Sequence, residues 1–572
     1  MIYFWNFWPT NGGLLILLLV NCVNNIQEAF GGIVIHDEAD KYSEYFKYKA
    51  QAEISENEPN YWQQVGLHEL KFKLNKPLIK GEAKNVIMFL GDGMSLPTIT
   101  AARIYKGQLG ERGPDEPRGE QDHLSFENFP FTGMAKTYCV DQQTADSACT
   151  ATAYLCGVKN NFGTIGVNSK ISRKNCEGMK NPEYFTTSIL KWAQDFGKST
   201  GVVTTTRVTH ASPAGTYAHT AERDWECDAD IKKDPERIGN GCKDIAYQLV
   251  KDDPGRRIKV IMGGGRAKFL PVSSKDDEGN VGERSDGQDL IKEWLLDKTN
   301  RTKKAKFITT RQQLLELDPN KGTDYLLGLF ASDHLHYNLG APASQPTLAE
   351  MTRTAIRLLE KEQKGYFLFV EGGHIDTAHH NNTPRYALDE TVELAKAVSV
   401  AVNLTSEKDT LIVVTADHAH TMMISGYSKR NNDILGAADQ KDLNGNPYPT
   451  LSYANGPAAR APVYNATSST CQMPTVTMEA GFGDASFHYP ALVPAKDETH
   501  GGDDVMVYAR GPWSHLFTGS YEQNFIPIAM GFASRVGPNS KLAGASGGVS
   551  THETHAVLML LSVAVVFLTQ RR

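Results

Sequence analysis

The chain has 572 residues, enough to bury a large core and more than the usual single domain. Charged residues make up 22% and the formal net charge is −7, which describes a globular protein and excludes the basic footprint of a nucleic-acid binder. An anionic substrate remains open, but the positive charge that receives it must then be local, from arginine or bound metal.

Residues 1–30 read as a secretory signal built on the apolar run Leu14–Val20, with cleavage between Val20 and Phe30. That run is short for a membrane span of roughly 20 residues. Residues 31–80 read as an N-terminal arm: Asp37–Lys73 is charged with Tyr and Trp interspersed, and Glu44–Glu58 fits a surface helix.

The first strong strand is Asn85–Leu90, stopped by Gly91-Asp92-Gly93. A continuous apolar run of that kind is a strand covered on both faces. The pair Asp146-Ser147 then opens a run of small helix-compatible residues that ends at Gly157. This sets a serine at a helix N-terminus, where free N–H groups and the positive dipole end attract phosphate. A helix cap is the plainer role for that serine.

The strand pattern recurs at Thr200–Thr206, Ile258–Met262, Tyr366–Val370, Leu411–Val414 and Val505–Tyr508. Between strands lie amphipathic helices, one with Leu348, Met351, Ala355 and Leu358 on its apolar face, another with Leu388, Val392, Ala395, Val398 and Val402. The alternation predicts an α/β protein: a large, mostly parallel central sheet with helices on both faces. Two stretches break it, the acidic loop Val272–Gly287 and a loop-rich insertion at 425–496. The α/β domain is therefore assigned to 81–424 and 497–540.

At the far end, Gly544, Ala545 and Ser546 begin a small-residue group, followed by a polar spacer and the apolar tail Ala556–Leu568. Small residues, spacer and short tail form the signal for a glycosylphosphatidylinositol anchor over 544–572, attached near Gly544, Ala545 or Ser546. The expected location is the outer leaflet of the cell surface. Secretion makes the eight cysteines informative. Cys22 leaves with the signal, so at least one thiol should be free. Cys149 and Cys156 read as small buried hydrophobes; Cys176, Cys227, Cys242 and Cys471, in polar surroundings, are the disulfide candidates. Glycosylation sequons fall at Asn300, Asn403 and Asn465. A further one at Asn381 precedes Thr383-Pro384 and reads as unused.

Ligands of open α/β sheets bind beyond the carboxyl ends of the strands, and that is where Asp92, Glu371, Asp376, His380, Asp417, His418 and His420 fall, with His500 just before the last strong strand. On a helical turn Asp376 and His380 share one face. Carboxylates and imidazoles without paired thiolates suit zinc or magnesium. One such residue is unremarkable, since an Asp after a strand usually forms a turn. Acids and imidazoles at several strand ends of one sheet would repel and shift in pKa without bound cations.

The segments Asn85–Met94, Asp146-Ser147-Ala148, Thr204–His219, Phe369–Asp376, Thr415–His418 and Glu498-Thr499-His500 occur in the order found in one family, and they cover most of 70–535. The chain resembles an alkaline phosphatase of the animal, membrane-anchored kind. The resemblance implies hydrolysis of phosphate monoesters at alkaline pH and with broad specificity, through a phosphoserine at Ser147. It implies two zinc ions and one magnesium per subunit. Asp376, His380 and His500 correspond to one zinc site. Asp92, Asp417 and His418, with Ser147, correspond to the other. Asp92, Ser212 and Glu371 match the magnesium site, with His210 beside it through water. His420 reads as a neighbour of the zinc sites, and Arg223 matches the arginine that grips substrate phosphate, for which its paired donors suit it.

The resemblance also implies a Cys176–Cys242 disulfide and a homodimer. In the dimer, 425–496 would form the crown at the interface and Tyr427 would reach toward the neighbouring active site. Ala331 and Gln345 stand where relatives carry acids of a fourth, calcium-like site, so that site is expected to be absent or weak. His374 and Thr377 replace the usual Arg and His near the zinc motif. The rivals are a phosphodiesterase or sulfatase on the same sheet, and an anchored receptor that has lost catalysis.

Overall fold

The computed structural model of the chain describes residues 56–110, 119–319, 321–465, 470–538 and 540. The signal segment, residues 31–55 of the expected arm with most of the 44–58 helix, and the 544–572 anchor signal lie outside the described residues. Met1–Asn75 and Lys76–Arg572 are separate compact units. The described part of the first is mainly a helix the sequence reading lacked, α1 (Pro59–Leu74), with proline in its first turn. Among the described residues no helix is long and apolar enough to cross a membrane.

The second unit is built on a ten-stranded sheet. In chain order its strands are β1 (Asn85–Gly91), β2 (Phe131–Lys136), β3 (Ser199–Arg207), β4 (Val260–Gly264), β5 (Ala305–Ile308), β6 (Tyr325–Leu329), β7 (Tyr366–Gly372), β8 (Thr410–Ala416), β9 (Val505–Arg510) and β10 (Gly519–Glu522). Across the sheet they run β10-β2-β9-β8-β1-β7-β3-β4-β6-β5. Only β9 runs against its neighbours, β8 and β2; the other pairs are parallel. The mostly parallel α/β sheet is as expected.

Strand β1 has Val86 to Gly91 buried, which is why it reads as an unbroken apolar run. It lies between β7 and β8, with Leu90 opposite Glu371 and Gly91 opposite both Gly372 and Ala416. Their carboxyl ends are therefore level, and the loops that follow converge. The helices that matter for the site are α2 (Leu96–Gln108), α3 (Ser147–Cys156), α4 (Leu348–Leu359), α5 (His374–His380), α6 (Pro384–Leu404) and α7 (Phe525–Ser534). Of the expected apolar faces, Leu348, Met351, Ala355 and Leu358 on α4 and Leu388, Val392, Ala395 and Val398 on α6 are buried, whereas Val402 near the end of α6 is half-buried.

The insertion folds into small sheets. Leu451–Gly456 pairs with Met422–Ile424 and with Ala491–Pro494, and Ala437–Lys441 pairs with Pro447–Pro449. Tyr427 is 90% exposed, with φ +46°. In the acidic loop, buried Arg284 ties Asp244 and Asp286 together and Arg266 holds Asp276 at 2.9 Å. Asn300 and Asn403 are exposed at helix ends, whereas Asn381 is exposed but Thr383 of its sequon is buried.

The cysteines bring two corrections. Cys176 and Cys242 are bridged as the resemblance implied, but Cys149 is no isolated hydrophobe: it is bonded to Cys139. Hydrogen bonds from Cys139 N to Gln142 O and from Val140 N to Asn160 O fold the chain back, leaving the two Cα atoms 5.9 Å apart. Cys227, expected as a disulfide candidate from its polar surroundings, is a free buried thiol beside Asp230 and Glu283. Cys156 is also free and buried, as expected.

Candidate active site

Three site residues come from one loop and one helix start. Asp146 caps α3, its carboxylate accepting from Cys149 N at 3.2 Å, and Gly157 in the left-handed region closes the other end. Ser147 is thus the first helical residue, almost fully buried, with Oγ 3.2 Å from His418 Nε2. Arg223 Nη1 donates to Asp146 Oδ2 and Nη2 to His210 Nε2, each at 3.1 Å.

Asp92 follows β1, Asp417 and His418 follow β8, and all three are fully buried. His418 Nε2 is 3.2 Å from Asp417 Oδ2 and 3.6 Å from Asp92 Oδ1. Gly93, with φ +66°, makes the turn after β1; its N–H donates to Asp417 Oδ1, and a Cβ there would lie 2.3 Å from the His420 ring. Glu371 ends β7 beside Thr204 of β3, whose hydroxyl donates to Glu371 Oε2 at 2.5 Å. Ser212 Oγ is 3.4 Å from Asp92 Oδ2.

Asp376 and His380 share one face of α5, with Nε2 3.3 Å from Asp376 Oδ1. His500 reaches the same oxygen at 3.3 Å and His380 Nε2 at 3.1 Å. The second ring nitrogens are anchored to main-chain carbonyls: His500 Nδ1 to Ala145 O at 2.7 Å, His380 Nδ1 to Glu498 O, and His418 Nδ1 to Ala419 O at 3.3 Å. Those bonds leave each Nε2 lone pair available to a cation.

The donor set fits bound cations. Ligand atoms gather in Asp376-His380-His420-His500, in Asp92-Asp376-His418 and in Asp92-His210-Glu371. Asp92 Oδ1, Glu371 Oε1, Asp417 Oδ2 and His210 Nδ1 are buried without a hydrogen-bond partner, which native proteins rarely tolerate unless an ion or water completes them. Burial, then Asp417, Asp376 and Glu371, push Asp92 well above the usual carboxylate range. Burial pushes Glu371 up to about 7, and burial with Asp376 raises Asp417. Burial also raises Asp376, but the His380, His420 and His500 imidazoles outweigh it and pull it well below. Three buried carboxylates this close ionise together only beside positive charge.

The structure brings every expected ligand residue into this region. Glu498 and His379, to which the sequence reading gave no role, join His420 and His374 there. Glu498 binds His420 Nδ1 through its carboxylate and accepts from Thr421 N at 2.7 Å. His420 is gripped at both nitrogens, since its Nε2 lies 2.7 Å from Asp376 Oδ1. His379 bridges Thr98 and Tyr453 at 3.0 Å each. His374 is buried with Nε2 donating to Leu335 O. Away from these groups, Ala331 is buried and Gln345 bonds both backbone groups of His336.

A serine hydroxyl at a helix N-terminus, with a guanidinium beside it and cation-ready donors on its other flank, is equipped to receive a tetrahedral dianion. The class this defines is a hydrolase of phosphate esters on an α/β sheet. A family model described as alkaline phosphatase matches residues 83–536. The membrane-bound alkaline phosphatase of Bombyx mori is 48% identical, over 85% of this chain and 86% of that protein. The tissue-nonspecific alkaline phosphatase isozyme of Homo sapiens is 43% identical, over 90% and 96%. The solved alkaline phosphatase of Thermus thermophilus shares the fold, with TM-score 0.55 at 20% identity over 81% of this chain and 93% of that one. The chain belongs to the alkaline phosphatase family, and it is an enzyme that hydrolyses phosphate monoesters.

Proposed function

We propose that Ser147 is the nucleophile and Arg223 the phosphate grip of a monoesterase with broad specificity that works at alkaline pH. The observation that carries the reading is Ser147 Oγ, at the N-terminus of α3 and 3.2 Å from His418 Nε2. Serine oxygen attacks phosphorus, the ester P–O bond breaks, and the alcohol leaves with a proton. Water then attacks the phosphoserine, releasing inorganic phosphate and restoring the hydroxyl. Arg223 is aimed by Asp146 and His210 through one N–H on each terminal nitrogen, so of its five donors others remain for phosphate oxygens. Because recognition falls on phosphate, the alcohol can vary.

Asp376, His380 and His500 would hold one zinc, and Asp92, Asp417 and His418, with Ser147, a second. Asp92, Ser212 and Glu371 would hold magnesium, with His210 beside it through water. Bound there, the metals would supply Lewis-acid chemistry that lowers the pKa of an attacking oxygen and offsets charge on the leaving one. Ser147→Ala tests the reading. No phosphoenzyme should be trapped with that variant, and p-nitrophenyl phosphate turnover by the wild type should stop with a chelator; normal turnover by the variant refutes the nucleophile.

The enzyme is a homodimer with 425–496 at the interface, supported by a large side chain, Tyr427, left 90% exposed at a positive φ. It is anchored by glycosylphosphatidylinositol near Gly544, Ala545 or Ser546, so phosphatidylinositol-specific phospholipase should release it from cells. Asn300, Asn403 and Asn465 carry glycans. A calcium-like fourth site is absent or weak, because Ala331 has no carboxylate and the Gln345 amide is committed to His336; tightly bound calcium on metal analysis would contradict this.

A further inference from the structure

The Cys139–Cys149 bond closes a short loop, and three consecutive residues inside it each serve a different part of the site. Ala145 O accepts from His500 Nδ1 at 2.7 Å, fixing the tautomer and plane of a proposed zinc ligand. Asp146 caps α3 and takes Arg223 Nη1 at 3.1 Å. Ser147 carries the nucleophilic oxygen. The remainder of the loop has little to position it: residues 140–143 are exposed and 140–144 form neither helix nor strand. Its fastenings are few, namely Cys139 N to Gln142 O, Val140 N to Asn160 O, and Phe162 N to Asp141 Oδ1 at 2.9 Å.

The disulfide itself is buried, with its cysteines 3% and 2% exposed, and it packs with Ala145 and Phe162. That packing reaches the phosphate grip by a second route. The Arg173 guanidinium lies 5.4 Å from the Phe162 ring centroid, and Arg173 makes a two-pronged bond to Glu222, the residue before Arg223. Gly163, next to Phe162, donates to Asp146 Oδ1 at 3.1 Å and accepts from Arg223 N at 2.9 Å.

From this geometry we infer that Cys139 and Cys149 are positioning residues for phosphate transfer: their bond holds Ala145, Asp146 and Ser147 in register with His500 and Arg223. The inference rests on the roles proposed above for Ser147, Arg223 and His500. A crosslink here removes the freedom of the exposed loop before substrate arrives, and misplacement of reacting groups by an ångström can cost about 100-fold in rate.

The test is the double variant Cys139→Ala/Cys149→Ala of the full chain, purified with its metals. Melting should shift by a few degrees only, since the ten-stranded sheet is untouched. Three readouts should move together, each by about tenfold: kcat for p-nitrophenyl phosphate falls, the inhibition constant for inorganic phosphate rises, and zinc passes faster to a chelating dye. A merely structural bond would lower the melting temperature and leave those readouts within twofold of wild type, and that result overturns the inference. If the variant does not fold, folded wild-type protein is reduced by a phosphine, mass spectrometry maps which pair has opened, and the same readouts apply. Ser147→Ala is run in parallel. An active Ser147→Ala enzyme sinks the underlying reading, whereas an inactive one beside an unaffected cysteine variant sinks only this inference.

Discussion

His420 Nε2 lies 2.7 Å from Asp376 Oδ1, and its other nitrogen is bound by the carboxylate of Glu498. Glu498 also takes His380 Nδ1 on its main-chain carbonyl, and its N–H donates to His380 O at 2.9 Å. One buried residue therefore orients two members of the Asp376 cluster. Outer partners of this type typically contribute 10–100-fold to metal affinity. Glu498→Gln keeps the shape and loses the charge. The zinc proposed at Asp376, His380 and His500 should exchange into a chelating dye about tenfold faster than in wild type, with secondary structure intact by circular dichroism. An unchanged exchange rate would mean that Glu498 does not support the metal.

Arg223 offers a comparison in which total charge stays fixed. The guanidinium can touch Asp146, His210 and a phosphate at once, whereas lysine has a single nitrogen. Arg223→Lys should raise KM and the phosphate inhibition constant by roughly tenfold, in line with losing one charge-assisted hydrogen bond. The effect on kcat should be smaller. Steady-state kinetics with phosphate as inhibitor reads both.

Thr204 and Glu371 face each other in register across β3 and β7, joined at 2.5 Å, with Thr206 Oγ1 farther off at 3.3 Å. Thr204→Val removes the near donor while keeping the β-branched shape. Leaving a buried acceptor short of a partner costs about 1–3 kcal/mol, which should appear in thermal melts. The magnesium concentration for half-maximal activity should also rise severalfold; an unchanged magnesium titration would rule out Thr204 as a support of that site.

The sheet was legible where strands are buried on both faces, as in β1, β7 and β8, because burial demands unbroken apolar sequence. Four strands had no such run. Phe131–Lys136 alternates buried and exposed residues, Ala305–Ile308 is short and contains Lys306, Gly519–Glu522 is an edge strand with no buried residue, and Tyr325–Leu329 is interrupted by Gly328. Of the proposed ligands, Asp92, Asp417 and His418 were legible because they directly follow β1 and β8, and Asp376 with His380 because their spacing puts them on one helical face; His500 and Ser212 were placed by the family resemblance. Glu498 was not legible: its partner His420 is 78 residues away in the chain, and no local pattern joins them. The Cys139–Cys149 pair was hidden for a related reason, since it depends on a chain reversal secured by Asn160. Cys227 misled in the other direction: its neighbours in sequence are polar, yet the thiol is buried and unbridged, beside Asp230 and the distant Glu283.

Glu390 tests how burial couples to pH away from the proposed metal ligands. It is buried on α6, its Oε1 accepting from Asn338 N at 2.7 Å. Burial, followed by the Asp389 and Glu393 carboxylates, raises its pKa from an ordinary 4.5 to about 8 against the pull of that hydrogen bond. Between those two values the folded protein keeps a proton that the unfolded chain has released. Stability from this group is therefore present below about pH 4.5, lost progressively as pH rises toward about 8, and level beyond. Glu390→Gln keeps an acceptor for Asn338 and cannot ionise. Relative to wild type its unfolding free energy should rise with pH from 5 to 8, by an amount on the order of 1 kcal/mol or more, and stop rising above 8. A difference that stays flat across that range would mean Glu390 titrates normally in the folded enzyme.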